Sequence, residues 1–429
     1  MRLLCKRLQD VPAVVAKWPR SRVNEGNIDA FVRGASFEQL TGVTMDGSDD
    51  YRRKVAMCAG QAKGLQSVTS IGWPFLPLLA KHQGLRRLYV SSRFCMPIRV
   101  SWTELHNFTC LMDLCLNCQR LTDEDLRNLA SCPFARQLRY LDLSGNAKLS
   151  EAQFLAEFRS LRHLNLSATS LTLQFVACPL ESLVLRFMRT SVSGPDLAKL
   201  TTKLVNLELW SSKVEDLAAF HFGSLRNIEW DIDCSQFEPT TVVTSLRSCR
   251  FPPLSKIFPN LRTLKTHAFA DDQYSASDFV FRCLTDARLA NYSLLQGIVQ
   301  GSRCSLRTLA LDINTEPWDN FSILTEFSAL QEMKVESNAT TDACPIDLIV
   351  QTLSRSMSQQ TLRSASFLFP SERTPFAAEL EGIYKLAALR DLEILHAGLS
   401  LTPSASQQLR SMPQLRLYLN NLFGAPLLI

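Results

Sequence analysis

Long hydrophobic runs are missing from this sequence. None approaches the roughly 18 residues needed to span a bilayer, although 46% of the 429 residues are hydrophobic. The N-terminus lacks the apolar core of a secretory signal, because Leu3-Leu4-Cys5 runs straight into Lys6-Arg7. Tight cysteine pairing is missing too. The thirteen cysteines are an odd number and scattered, which argues against a disulfide framework and for a reduced, intracellular compartment, cytoplasmic or nuclear. Most are expected at apolar repeat positions, as small hydrophobes. The six histidines are dispersed, and no phosphate loop, nucleophile elbow or paired-histidine helix occurs, so neither an enzyme nor a cofactor is expected. Five Asn-x-Ser/Thr triplets (Asn107, Asn165, Asn291, Asn320, Asn338) carry little weight without a signal peptide. Acidic residues are scarce at the start: residues 1–33 hold seven Lys/Arg and three Asp/Glu, so +4 of the +5 net charge lies there. The rest is nearly neutral, and the basic balance says nothing of a basic surface on it.

What is present is a recurrence: leucine, two residues, leucine, one residue, leucine. It is cleanest at Leu138, Leu141 and Leu143, followed by Asn146, and at Leu161, Leu164 and Leu166. A period of about 19 to 30 residues predicts a repeat stack in which each unit gives one short strand, with its apolar positions inward, and a helical or irregular return. Strands are expected from Leu40, Leu65, Leu85, Leu111, Leu138, Leu161, Leu180, Leu204, Leu225, Leu261, Leu306, Leu330, Leu362, Leu389 and a truncated Leu415. Prolines 179, 259 and 413 just precede three of them, where proline ends a helix and presets an extended approach. Helices are expected at Thr122–Leu129, at Ser150–Leu155 and from Asp347 to Met357, the first two opened by a hydroxyl and early acids.

These motifs resemble the leucine-rich-repeat superfamily over about residues 37–425. Leu111-Met-Asp-Leu114-Cys-Leu116-Asn-Cys-Gln-Arg-Leu121-Thr122-Asp123 looks like the cysteine-containing subtype familiar from F-box adaptors, and the helical returns are similar to the ribonuclease-inhibitor subtype. The resemblance implies an α/β solenoid, a horseshoe with a parallel concave sheet and helices or irregular turns on the convex side. Residues 1–36 match no F-box and form a basic N-terminal segment, a cap or a targeting sequence. Residues 37–429 form the solenoid. Between Leu225 and Leu306 the period stretches to about 36 and then 45 residues, so about 232–305 holds longer, irregular repeats or insertions, which on a solenoid often mark a binding face or are mere irregularities.

Counting the first leucine as position one, positions three, five and seven point out from the sheet. In the first half these include Asp142, His163, Asn165, Asn206, Glu208 and Trp210. Further on they include Asn227, Glu229, Asp231, Asp312, Glu332, Glu336, Asp391 and Glu393. Cations there are fewer, namely Arg87, Arg186, Lys265 and Lys334. From the middle onward the concave face is therefore expected to be acidic, suited to a basic segment of another protein and repelling nucleic acid; the plain alternative is a solvated sheet face. Position two carries arginine at 86, 139, 162, 226, 262, 307, 363, 390 and 416, a ladder that either grips an acidic protein or a nucleic-acid backbone, or lies over neighbouring apolar surface and pairs with acids nearby. Cys110, Cys115, Cys118 and Cys132 have metal-like spacing, but Cys115 belongs on the concave face and Cys118 in the following turn, so no metal site is expected.

The expected function is a non-enzymatic protein–protein interaction scaffold. The alternatives are a substrate-recognition subunit of a ubiquitin ligase lacking its own F-box, and a component of a mitochondrial ribonucleoprotein, for which the basic, arginine-rich start would serve as presequence. The chain ends Leu422-Phe423-Gly-Ala-Pro426-Leu427-Leu428-Ile429, read as a tail folding back over the last repeat or docking into a partner.

Overall fold

The computed structural model describes residues 15–16, 41–44, 49–90, 102–216, 220–231, 238–248, 254–266, 280–290, 292–313, 321–337, 345–369, 376–396 and 399–420. The C-terminal tail, Leu40, His267, Asn291, Asn320, Asn338 and nearly all of the basic N-terminal segment lie outside them. The chain divides into two compact units, Met1–Leu225 and Arg226–Ile429. Among the described residues no helix is long and apolar enough to cross a membrane.

The first unit holds β1 (Val15–Ala16), β2 (Gly42–Thr44), β3 (Ser67–Ile71), β4 (Arg87–Val90), β5 (Asp113–Cys115), β6 (Tyr140–Asp142), β7 (His163–Asn165), β8 (Ser182–Arg186), β9 (Val192–Ser193), β10 (Asn206–Trp210) and β11 (Val214–Glu215). From β1 to β8, and then to β10, each strand is parallel to the one before; β9 and β11 make a separate parallel pair. The second unit holds β12 (Asn227–Trp230), β13 (Ser245–Ser248), β14 (Thr263–Thr266), β15 (Asp286–Leu289), β16 (Thr308–Asp312), β17 (Glu332–Glu336), β18 (Ser364–Phe369), β19 (Phe376–Ala378), β20 (Asp391–His396), β21 (Leu399–Leu401) and β22 (Arg416–Asn420). These too are parallel in chain order, with β19 and β21 paired apart. This is the α/β leucine-rich-repeat solenoid that the spacing predicts.

Register comes from two sources. Leucines at positions four and six stack inward: Leu141, Leu143, Leu166, Leu207 and Leu209 are at most 1% exposed and Leu164 is 2%. At most strand starts the position-two carbonyl accepts two N–H groups from the next repeat. Arg86 takes those of Met112 and Asp113 at 2.8 and 2.9 Å, and Arg262 takes those of Thr285 and Asp286 at 2.8 and 3.0 Å. A one-residue slip would break these bonds and turn the leucines outward.

After the strand, Asn146 does the work that its place in the motif implies. It is fully buried. Its amide donates to the carbonyls of Leu116 and Leu143 at 2.8 and 2.7 Å, and its oxygen accepts the Leu121 N–H at 3.1 Å. The polar backbone of the turn is thereby paired inside an apolar core.

The return segments differ in part from expectation. The helix Asp123–Ala130 has the full capping box, Thr122 with Asp125. The segment after Ser150 is a 3-10 helix, Ala152–Glu157, with no side-chain cap. Ser150 instead turns toward the preceding repeat, its hydroxyl and N–H both donating to Asp123 at 2.8 Å. Burial acts to raise the Asp123 pKa, but these bonds and the Glu151 N–H outweigh it and lower the value. The helix from Asp347 stops at Leu353, and a 3-10 turn, Met357–Gln360, follows.

Register and burial depart from expectation at three places. The stretch between Leu225 and Leu306 contains two strands that the leucine count does not see, β13 and β15. Their inward positions read Val243, Leu246 and Ser248, and Leu284, Ala287 and Leu289, all buried; serine and alanine in place of leucine hide the motif. Arg416 is not at position two. Its repeat is one residue short, so it pairs across from Asp391 as a position-three residue. Among the described cysteines only Cys58, Cys132 and Cys178 are buried; Cys110, Cys118, Cys283 and Cys304 are exposed and Cys115 is half-buried. The exposed ones lie in turns or just before a position-one leucine, on the rim rather than in the core.

Candidate partner-binding face

On the first unit the outward positions form two rows by strand register. One row runs Arg87, Asp113, Tyr140, His163, Ser182, Asn206, and the other Tyr89, Cys115, Asp142, Asn165, Val184, Glu208. Most charges here are already matched. Arg87 meets Asp113 at 2.9 Å, and Arg186 meets Glu208 at 2.6 Å. Trp210 lies in register with Arg186 and is half-buried.

Asp142 is different. It is only 8% exposed although its position points outward. It accepts the Ser144 N–H at 2.9 Å and the Cys115 thiol, and burial together with the Asp142 charge pushes that thiol up to about 12. No Lys or Arg pairs with it among the described residues. Aromatic rings stand beside it: Tyr89 and Tyr140 have centroids 5.9 Å apart, and Tyr140 and His163 6.3 Å. Burial first, then Asp142, raises the Tyr140 pKa, so the phenol stays neutral. Neutral phenol rings next to a shielded carboxylate make a place where a cation is stabilised twice, by ring faces and by charge. Asp142 and His163 are legible as outward residues from the leucine spacing, and the same position rule reaches Tyr89 and Tyr140 once aromatic residues are counted with charges.

On the second unit the outward rows run Asn227, Ser245, Thr263, Asp286, Thr308, Glu332, Ser364, Asp391, and Glu229, Arg247, Lys265, Arg288, Ala310, Lys334, Ser366, Glu393. Arg247 and Arg288 come from the strands hidden from the leucine count, and they change the electrostatics. Arg247 meets Glu229 at 3.0 Å, Arg288 meets Glu336 at 2.5 Å, Lys334 also meets Glu336, and Arg416 meets Asp391 at 2.8 Å. Glu393 accepts a hydrogen bond from Ser366 at 2.7 Å. Glu332 is exposed, while Asp231 and Asp312 are half-buried. This face is a mosaic of paired charges rather than a continuous acidic stripe.

The cysteines do not converge: among the described residues no three His, Cys, Asp or Glu side chains come together as metal ligands. Cys132 and His106 stand 3.8 Å apart, but burial pushes the Cys132 thiol up to about 12, the reverse of the lowered pKa of a nucleophilic cysteine.

No family model matches this chain, and no curated protein does. Among solved structures it is similar to an internalin, inlF, from Listeria monocytogenes, at 16% identity over 93% of this chain and 94% of that one, TM-score 0.34. It is also similar to a leucine-rich-repeat protein of Leptospira interrogans, at 15% identity over 96% and 98%, TM-score 0.32. A third is TLR13 in complex with ssRNA13, at 15% identity over 91% of this chain and 52% of that one, TM-score 0.32. At such scores these likenesses carry no argument, and the fold rests on the chain's own repeats and ladders.

Proposed function

We propose that this chain is a non-enzymatic interaction scaffold whose outward sheet positions take a basic segment of a partner protein. Asp142 carries the reading. A carboxylate that is 8% exposed, without a cationic partner among the described residues, has lost hydration that a lysine or arginine would restore in kind. Tyr89, Tyr140 and His163 add ring faces for the same cation. Glu208 and Trp210 on the first unit extend the proposed site. On the second unit Glu332 and Glu393 offer exposed carboxylates, and Asp231 and Asp312 are half-buried outward acids elsewhere on it. At Glu229, Glu336 and Asp391 a partner's cation would compete with arginines already in place.

The test is recovery of partners from a lysate by the tagged full chain, quantified by mass spectrometry, for wild type, D142N and the pair E332K/E393K. Asn at 142 keeps the acceptor for Ser144 and removes the charge. D142N is expected to lose the basic partner while melting as wild type does. Unchanged recovery in both variants sinks the proposal.

A further inference from the structure

A second row, opposite in sign, runs along the strand starts of the second unit. Position two there reads Arg226, Thr244, Arg262, Thr285, Arg307, Gln331, Arg363, Arg390. Its spacing is set by the backbone, because each of these N–H groups donates to the carbonyl of the one before: Arg262 to Thr244 and Arg307 to Thr285 at 2.8 Å, Arg363 to Gln331 at 2.7 Å, Arg390 to Arg363 at 2.8 Å. Parallel strands lie about 4.8 Å apart, so the first four arginines, on alternate strands, recur about every 10 Å.

All five arginines are exposed. None forms an ion pair among the described residues, in contrast to Arg247, Arg288 and Arg416 on the neighbouring outward rows. The first unit's row is also different, since there Arg162 faces Glu181 at 2.7 Å. In the second unit no acid occurs within the position-two row, nor at the residue before each buried position-one side chain, from Ser224 to Ala388. Like charges about 10 Å apart sit near one Debye length and repel.

We propose that Arg226, Arg262, Arg307, Arg363 and Arg390 form a docking track for an acidic polypeptide segment lying extended across the strands. A segment in the extended polyproline-II conformation has three residues per turn and rises about 3.1 Å per residue, so a carboxylate at every third residue returns to the same face about every 9 Å and matches the arginine repeat. A guanidinium presents two parallel N–H groups to a carboxylate. Thr244, Thr285 and Gln331 lie between the arginines and suit a peptide backbone, which needs neutral donors and acceptors. The row contains no aromatic side chain, so it lacks the stacking platforms by which a single-stranded nucleic acid is held. The track is independent of the function proposed above, whose partner segment is basic.

Fluorescence anisotropy on the full chain tests it. The probes are a labelled peptide of Glu-Ser-Gly repeats, an isomer with its glutamates in one block, and a labelled single-stranded oligonucleotide of similar charge. The spaced peptide is expected to bind more tightly than either. R262E/R307E should weaken it by about tenfold or more, and R307K, which keeps charge but not the fork, by less than R307E. Thermal melting of each variant monitors the fold; if charge reversal destabilises the protein, R262Q/R307Q replaces it. Equal affinity of wild type and folded variants for the spaced peptide overturns the track. An oligonucleotide that binds as tightly as the peptide, through the same arginines, overturns its assignment to acidic polypeptide.

Discussion

Replacing Asn146 with alanine isolates what holds a turn of the stack together. The side chain has no solvent exposure and three hydrogen bonds of 2.7–3.1 Å, to Leu116, Leu143 and Leu121. Truncation leaves two carbonyls and one N–H unpaired. Each unsatisfied buried group costs about 1–3 kcal/mol. The turn includes exposed Cys118 and Arg120, so water reaches part of it and the lower end applies, about 3 kcal/mol for the three. The cavity left by the amide brings the expected loss to about 3–5 kcal/mol. N146D probes the donor role. Its oxygens still accept the Leu121 N–H, but as a carboxylate it turns a negative charge on two carbonyls, so it should be at least as damaging as alanine at neutral pH. In acid the protonated form donates one bond, which raises its folded pKa; its stability relative to wild type should therefore fall as pH rises past the unfolded value. Urea unfolding reads the loss, and amide exchange at Leu121 shows whether one repeat opens alone, as a stack permits. A loss below about 1 kcal/mol for N146A would refute the argument, since only a relaxed, hydrated turn could absorb three broken bonds so cheaply.

Leu164→Ala, at a site 2% exposed, should cost about 2–5 kcal/mol in the same denaturation assay. Gly145→Ala should be destabilising by about 1–2 kcal/mol, because φ is +74° and the new Cβ meets the Cys118 sulfur; adding C118A should restore part of the loss, leaving the backbone strain. A maleimide time course read by mass spectrometry should label Cys110, Cys118, Cys283 and Cys304 quickly and leave Cys58, Cys132 and Cys178 until unfolding. Burial raises Cys115 and Cys132 to about 12 and Cys178 to about 11 from 9.0. The folded state then holds protons that the unfolded chain releases, so stability should fall as pH rises above about 9, through the folded values. Replacing the three with alanine or valine should flatten that alkaline slope.

The leucine spacing alone determined that the chain stacks parallel strands and which leucines face inward, because a buried column tolerates no slip in a period of two. It also located Asn146, and it put Asp142 and His163 on the outward side. The tertiary structure decided the rest. Strands β13 and β15 are invisible to a leucine count because serine and alanine fill inward positions, yet they are held by the same backbone ladder and bring Arg247 and Arg288 beside Glu229 and Glu336. A list of outward acids therefore overstated the negative charge of that face. Likewise Tyr89 and Tyr140 are separated by 51 residues and one intervening strand, and only strand register carries their rings to 5.9 Å. A motif records which way each residue points; which charges and rings become neighbours depends on how one repeat is aligned with the next.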